Sequence, residues 1–361
     1  MKNGKSKKTE KIARGVAISL LIMGIFIGRQ SVAGMELSAV IYSYMESVIP
    51  NSPTPDSIYN TPSPFLEDHW EEINGLIGIN DIIFQLEQEL AREAAGPAPI
   101  TEADIERLRD FDYLRTQFYV SDRNTRLIPE DVDVDAFIRA DLTLDTSIEG
   151  PKVLIFHTHS TEMFADSDPA NPMDGVLGLG ARLAEILEQQ YGIQTIHDTT
   201  RYDIVDGRSQ IMGAYERMEP YIRQILYDNP SIEVVIDLHR DGLPEGAPPL
   251  VTYIDGQRCA RIMFVNGLSR RYNSDGNLEA VPWLPNPYLR ENLAFSFQLQ
   301  LAANRLYPGF TRRVYLKAFR YSLHLVPRTM LVEIGAQNNT MEEAHNALPH
   351  LAAVIAEVVM P

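Results

Sequence analysis

Cysteine is nearly missing: Cys259 is the single one in 361 residues, which excludes an intramolecular disulfide and a cysteine-rich metal cluster. Beside the apolar run ARIMFV, this residue reads as a small buried side chain and not as an activated thiol. No Gly-x-Ser-x-Gly elbow and no GxxxxGKS or GxxxxGKT phosphate loop occurs, so the usual serine-hydrolase and nucleotide-phosphate signatures are lacking. Positive charge is scarce too. Lys and Arg total 32 against 49 Asp and Glu, a net −17, and a chain with so little concentrated basic charge is not a nucleic-acid binder. At 45% hydrophobic and 22% charged residues, it can bury a sizeable core and is not disordered.

The positive charge that exists is gathered at the start. Lys2, Lys5, Lys7, Lys8, Lys11, Arg14 and Arg29 face Glu10 alone within residues 1–34. The apolar run Gly15–Gly28 (GVAISLLIMGIFIG) follows the cluster, an order expected of a single membrane anchor with a cytoplasmic N-terminus and an extracytoplasmic remainder. Arg14 and Arg29 can snorkel at the two interfaces if the span runs from Ile12 to Ala33, whereas cleavage after Ala33 is the alternative fate. We expect a basic tail and anchor over 1–34, a linker and helical stalk over 35–109, and a catalytic domain over 110–361. The linker is legible in PNSPTPDSIYNTPSPF (Pro50–Phe65), and the stalk in helically spaced Trp70, Ile73, Leu76, Ile77, Ile82, Ile83, Leu86 and Leu90. A further helix is expected over Ile105–Leu114.

From Pro151 the rhythm changes to short apolar runs alternating with longer helical patterns. Strands are expected at Val153–Phe156, Gln194–His197, Val234–Leu238, Ile262–Asn266 and Met330–Ile334, and helices at Val176–Gln190, Gln210–Tyr227, Tyr288–Arg305 and Met341–Val359. Runs such as VVIDL and MLVEI are apolar on both faces. That predicts an α/β fold, a three-layer sandwich with a mostly parallel central sheet and helices on both sides. Glycine-rich DGVLGLGARLAEIL (Asp174–Leu187) opens a helix without a strand directly before it, so helix packing explains it better than phosphate binding.

Ligands of open α/β sheets collect beyond the C-terminal ends of the strands. Here one strand ends in FHTHSTE, delivering His157, His159 and Glu162; another ends in LHRD, delivering His239, Arg240 and Asp241; a third carries Glu333 within LVEIG. A carboxylate inside an apolar strand is costly to bury unless it is paired or functional. Catalytic Zn²⁺ takes three protein ligands, commonly His and Glu, and lowers the pKa of a bound water toward ~7. His159, Glu162 and His239 are the expected ligands, because the two residues between His159 and Glu162 let both reach one ion from a single turn. His157 is the alternative ligand, or supports the ligands or an oxyanion. Glu333 is the expected general base, passing the proton to the departing nitrogen. Arg240 and Asp241 would orient ligands or bind substrate, and His197 would contact substrate.

VLIFHTHSTEMF, VVIDLHRDG and MLVEIGAQNNTMEEA, together with the basic single-anchor start, resemble the stage II sporulation protein P family over roughly Asp110 to Pro361. The resemblance implies a membrane-anchored zinc N-acetylmuramoyl-L-alanine amidase, with endopeptidase activity also ascribed, that trims peptidoglycan as the forespore is engulfed. It implies stage II sporulation proteins D and M as partners. In the related cell-wall zinc amidases a strand-end His, a Glu, a second His and a late Glu form the site, and His159, Glu162, His239 and Glu333 stand in those places. The ligand Glu of those relatives lies further from the first His, so His157 stays open as a ligand. Two other readings remain: a carboxypeptidase-like zinc peptidase acting on wall peptides, and a non-catalytic anchored scaffold.

Overall fold

The computed structural model describes residues 102–360 apart from Glu245. The expected anchor and linker, and the stalk as far as residue 101, therefore lie outside the described residues, as does His69. Among the described residues no helix is long and apolar enough to cross a membrane. One compact unit, Glu93–Leu243 with Pro249–Pro361, contains the whole central sheet.

Seven strands make that sheet: β1 (Tyr119–Ser121), β2 (Val153–Phe156), β3 (Thr195–His197), β4 (Val234–Asp241), β5 (Ile262–Gly267), β6 (Val314–Lys317) and β7 (Thr329–Ala336). Their order is β1-β6-β5-β7-β4-β2-β3. Every junction is parallel except β5 against β7, so β7, β4, β2 and β3 run one way and β5, β6 and β1 the other. The mixed α/β fold with a mostly parallel sheet is as expected. Three two-stranded ribbons stand apart from the sheet, at Ile204–Val205 with Arg208–Ser209, Val251–Ile254 with Gln257–Ala260, and Arg270–Tyr272 with Leu278–Ala280. Cys259 lies in the second ribbon, buried, and not in the strand that follows.

Seven α-helices are described: α1 (Glu102–Arg107), α2 (Phe111–Gln117), α3 (Val134–Arg139), α4 (Val176–Tyr191), α5 (Ala214–Asp228), α6 (Leu289–Leu306) and α7 (Met341–Val359). The helix expected over Ile105–Leu114 is two helices. Asp110 divides them, because its carboxylate accepts the Tyr113 amide (2.8 Å) and so caps a new helix instead of continuing the old one. In α7, buried Ala344, Leu348, Leu351, Ile355 and Val359 line one face, and Thr340 and Glu343 close a capping box at its start. The helix at Gln210–Tyr227 begins later than expected, at Ala214, since Gln210 follows a ribbon and Gly213 takes a left-handed φ of 79°.

Period-two alternation sends strand side chains to two faces. Val153, Ile155, Val234, Ile236, Leu238, Val332 and Ile334 pack with α4, α6 and α7 in the main core. On the opposite face Leu154, Phe156 and Val235 meet Met218 and Ile222 of α5, while Val265 and Leu331 meet Leu323 from the segment after β6. That second face is only partly roofed by helix. The polar positions Asp237, His239 and Glu333 follow Val235 and Leu331 at the spacing of two and so point the same way.

Candidate metal centre

After β2 the chain turns sharply, and two buried aspartates hold that turn. Asp237, fully buried, accepts the Thr158 amide (3.0 Å) and hydroxyl (2.9 Å). Asp203 accepts the Ser160 hydroxyl (2.5 Å) and the Thr161 amide (2.9 Å) and hydroxyl (2.5 Å). Burial works against the Asp203 charge, but these donors outweigh it and hold the carboxyl below its usual range. The turn closes with the Glu162 amide on the His159 carbonyl (3.3 Å), which brings the two side chains to one side.

His159, Glu162 and His239 each offer a donor atom, and those atoms lie within 4.8 Å of one another. Glu162 Oε1 is 3.6 Å from His159 Nδ1, and its Oε2 is 3.2 Å from His239 Nδ1 while accepting the Arg240 amide at 3.0 Å. His239 Nε2 donates to Asp237 Oδ1 at 2.7 Å. A carboxylate on the outer nitrogen fixes the tautomer and turns the Nδ1 lone pair toward the group, the arrangement metal-binding histidines commonly have. The donor set and this outer carboxylate fit Zn²⁺. Without an ion, burial opposes charge on His239, but Asp237 and Glu162 overcome it and raise the imidazole well above its usual range. Glu162 is likewise penalised by burial yet held well below the usual carboxylate range, chiefly by His239 and His159.

Glu333 stands in register between His239 on β4 and Met263 on β5. Its Oε2 is buried and has no hydrogen-bond partner among the described residues. Burial pushes the carboxyl up to about 8; His239 opposes this, and Glu162, Asp241 and Asp237 add to it. An acid beside a cluster of potential ligands, with an orphaned oxygen, is suited to holding and releasing a proton.

Other expected residues lie elsewhere. His157 does not join the three: its Nδ1 donates to the Leu238 carbonyl (2.8 Å) and its Nε2 accepts from His197 Nε2 (2.9 Å). Both ring nitrogens are used, and burial drives the ring's pKa down to about 3, with His197 adding to the shift. His157 thus supports the strand backbone next to His239, and His197 is occupied with His157 and not with the cluster. Arg240 aims its guanidinium at the Met163 (3.0 Å) and Asp241 (3.3 Å) carbonyls, and Asp241 pairs with Arg312 (2.5 Å). Their side chains brace loops; the contact to the cluster is made by the Arg240 main chain.

The glycines of DGVLGLG have a use here. A Cβ on Gly175 would sit 2.6 Å from the Glu162 carbonyl oxygen, and one on Gly180 would sit 2.4 Å from His157 Nε2 and 2.6 Å from His197 Nε2. Gly180→Ala is therefore expected to destabilise the fold by about 1–3 kcal/mol, read as a lower denaturant midpoint at unchanged slope.

The family model described as stage II sporulation protein P matches residues 88–356, well over half of the chain and all of the residues just described. The chain belongs to the stage II sporulation protein P family. A curated member, stage II sporulation protein P of Bacillus subtilis (strain 168), is 25% identical over 220 residues, covering 57% of this chain and 50% of that protein. This member of the family thus matches about half the length of its curated relative. Among solved structures, the N-acetylmuramoyl-L-alanine amidase AmiC2 of Nostoc punctiforme is similar at 15% identity and a TM-score of 0.33, over 59% of this chain and 97% of its own. The N-acetylmuramyl-L-alanine amidase Ami1 from Mycobacterium smegmatis is similar at 12% identity and a TM-score of 0.31, over 61% and 98%. Likeness at those scores carries no argument about chemistry.

Asp237, Asp203 and Tyr215 were not among the residues expected at the site. The Tyr215 ring lies edge-on to His159 at 5.6 Å. Asp237 could have been found by the reasoning that marked Glu333, since it too is a carboxylate within an apolar strand, two residues before His239 and so on its face.

Proposed function

We propose that this member of the family is an extracytoplasmic, zinc-dependent peptidoglycan hydrolase that cleaves the amide between the lactyl group of muramic acid and L-Ala during forespore engulfment. The observation that carries the reading is the meeting of His159, Glu162 and His239 within 4.8 Å, with Glu333 in register beside His239. Zn²⁺ held by His159, Glu162 and His239 would polarise the scissile carbonyl and lower the pKa of the attacking water. Asp237 keeps the His239 proton on Nε2, and the Arg240 amide orients Glu162. Glu333 takes the proton from the water and returns it to the departing nitrogen. Family membership supports a cell-wall substrate in sporulation, with stage II sporulation proteins D and M as partners and the apolar run Gly15–Gly28 as the anchor to the cell membrane. Endopeptidase activity belongs to the same proposal as a second cleavage by the same site.

The test is to incubate the full-length chain with cell-wall sacculi and to analyse the fragments by mass. Released peptide stems with a new free amine on L-Ala, abolished by a chelator and restored by zinc, are expected. Release of terminal amino acids alone would identify a carboxypeptidase-like enzyme instead, and no release from a zinc-loaded chain would identify a scaffold.

A further inference from the structure

An amide attacked by water needs a hydrogen-bond donor where its carbonyl oxygen gains charge. Among the described residues, the cations around the centre are engaged elsewhere. Arg240 is held by main-chain carbonyls, Arg312 by Asp241, and Arg320 by Glu219 (3.2 Å) and the Pro285 carbonyl (3.2 Å). Tyr215 differs from all of these. It opens α5 directly over the open face of the sheet, half-buried, and its hydroxyl has no hydrogen-bond partner among the described residues.

Its ring is clamped from two sides, by His159 at 5.6 Å and 79° and by Tyr321 at 5.4 Å and 75°. Edge-to-face contacts of this kind fix the orientation of the ring. Tyr321 is itself pinned. It adopts a left-handed φ of 52°, unusual for a bulky residue, and its carbonyl accepts from His324 Nδ1 at 2.9 Å. Gly267 lets this segment approach, since a Cβ there would stand 2.1 Å from the Phe319 carbonyl oxygen. Tyrosine's phenol is protonated and a hydrogen-bond donor at neutral pH. It is thus a fixed neutral donor among carboxylates.

We propose that Tyr215 is a further catalytic residue, its phenol donating a hydrogen bond to the carbonyl oxygen of the scissile amide as that oxygen becomes negative. This rests on the amidase reading. As the water oxygen bonds to the carbonyl carbon, a water proton passes to Glu333 and the carbonyl π pair moves onto oxygen, where Tyr215 stabilises it without giving up its proton. The pair then returns, the C–N bond breaks with its electrons going to nitrogen, and nitrogen takes the proton held by Glu333. The products are the carboxylic acid and the free amine.

Tyr215→Phe keeps both ring contacts and removes only the donor. The full-length variant is expected to bind one zinc, to show kcat lowered about 100-fold with KM within about twofold of wild type, and to bind a phosphinate analogue of the muramoyl–alanine junction about 100-fold more weakly. Tyr221→Phe, on the exposed side of the same helix, should match wild type in each respect. Unchanged kcat and phosphinate affinity in Tyr215→Phe overturn this role alone, and so does a loss of activity that merely tracks lost zinc. A wild-type chain that binds zinc but neither cleaves sacculi nor holds the phosphinate overturns the amidase reading and this role with it.

Discussion

Glu333→Gln is expected to lower amide cleavage about a thousandfold while the chain still binds one zinc per molecule. Gln preserves the volume beside His239 and Met263 but can neither accept a proton from water nor return it to nitrogen. Turnover of sacculi and metal content, measured on the same preparation, separate loss of the proton carrier from loss of the ion. The same substitution has a second signature in the metal-free protein. Burial raises the Glu333 carboxyl to about 8 in the folded state, so between the unfolded-state carboxylate pKa and pH 8 the native protein holds a proton that the unfolded chain has released. Stability falls as pH rises across that window and levels off above it. Metal-free Glu333→Gln lacks this slope and should exceed metal-free wild type by on the order of 2 kcal/mol above pH 8, read from denaturant midpoints.

His239→Ala has the other large effect, and it falls on stability as well as on activity. Removing the ring strands two carboxylates: Asp237, fully buried and 2.7 Å from Nε2, and Glu162, 3.2 Å from Nδ1. Breaking a buried charge pair from one side typically costs about 3–5 kcal/mol, because the remaining charge has lost its counter-charge with no water to replace it. The variant should unfold at markedly lower denaturant and cleave no substrate. Asp237→Asn tests the same linkage more gently. The His239 tautomer is then no longer fixed by a charged acceptor, and zinc affinity should fall about 10–100-fold with the fold retained.

Much of this architecture is legible before any coordinates. VLIF, VVIDL and MLVEI are apolar on consecutive residues, and only a strand covered on both faces needs that; these became β2, β4 and β7. The strands β1 and β6 escaped because YVS and VYLK are too short to establish a period. The three cluster residues could be named because strand ends converge in such sheets. What the sequence could not supply was the choice between His157 and His159, since both lie beyond Phe156 where the strand has ended and alternation no longer applies. In the structure the Asp237 and Asp203 hydrogen bonds to Thr158, Ser160 and Thr161 bend the chain so that His159, and not His157, meets Glu162 and His239. Tyr215 had no local signal at all. It belongs to the centre only because α5 starts after Gly213 and lies against the segment carrying Tyr321.

Every chemical step proposed above depends on one ion held by His159, Glu162 and His239. Metal analysis of the full-length protein purified with zinc, alongside His159→Ala, Glu162→Gln and His157→Ala, tests it most directly. One zinc per chain is expected in wild type and in His157→Ala, and substoichiometric zinc in the other two. Full zinc occupancy in His159→Ala, or its loss only in His157→Ala, would contradict it.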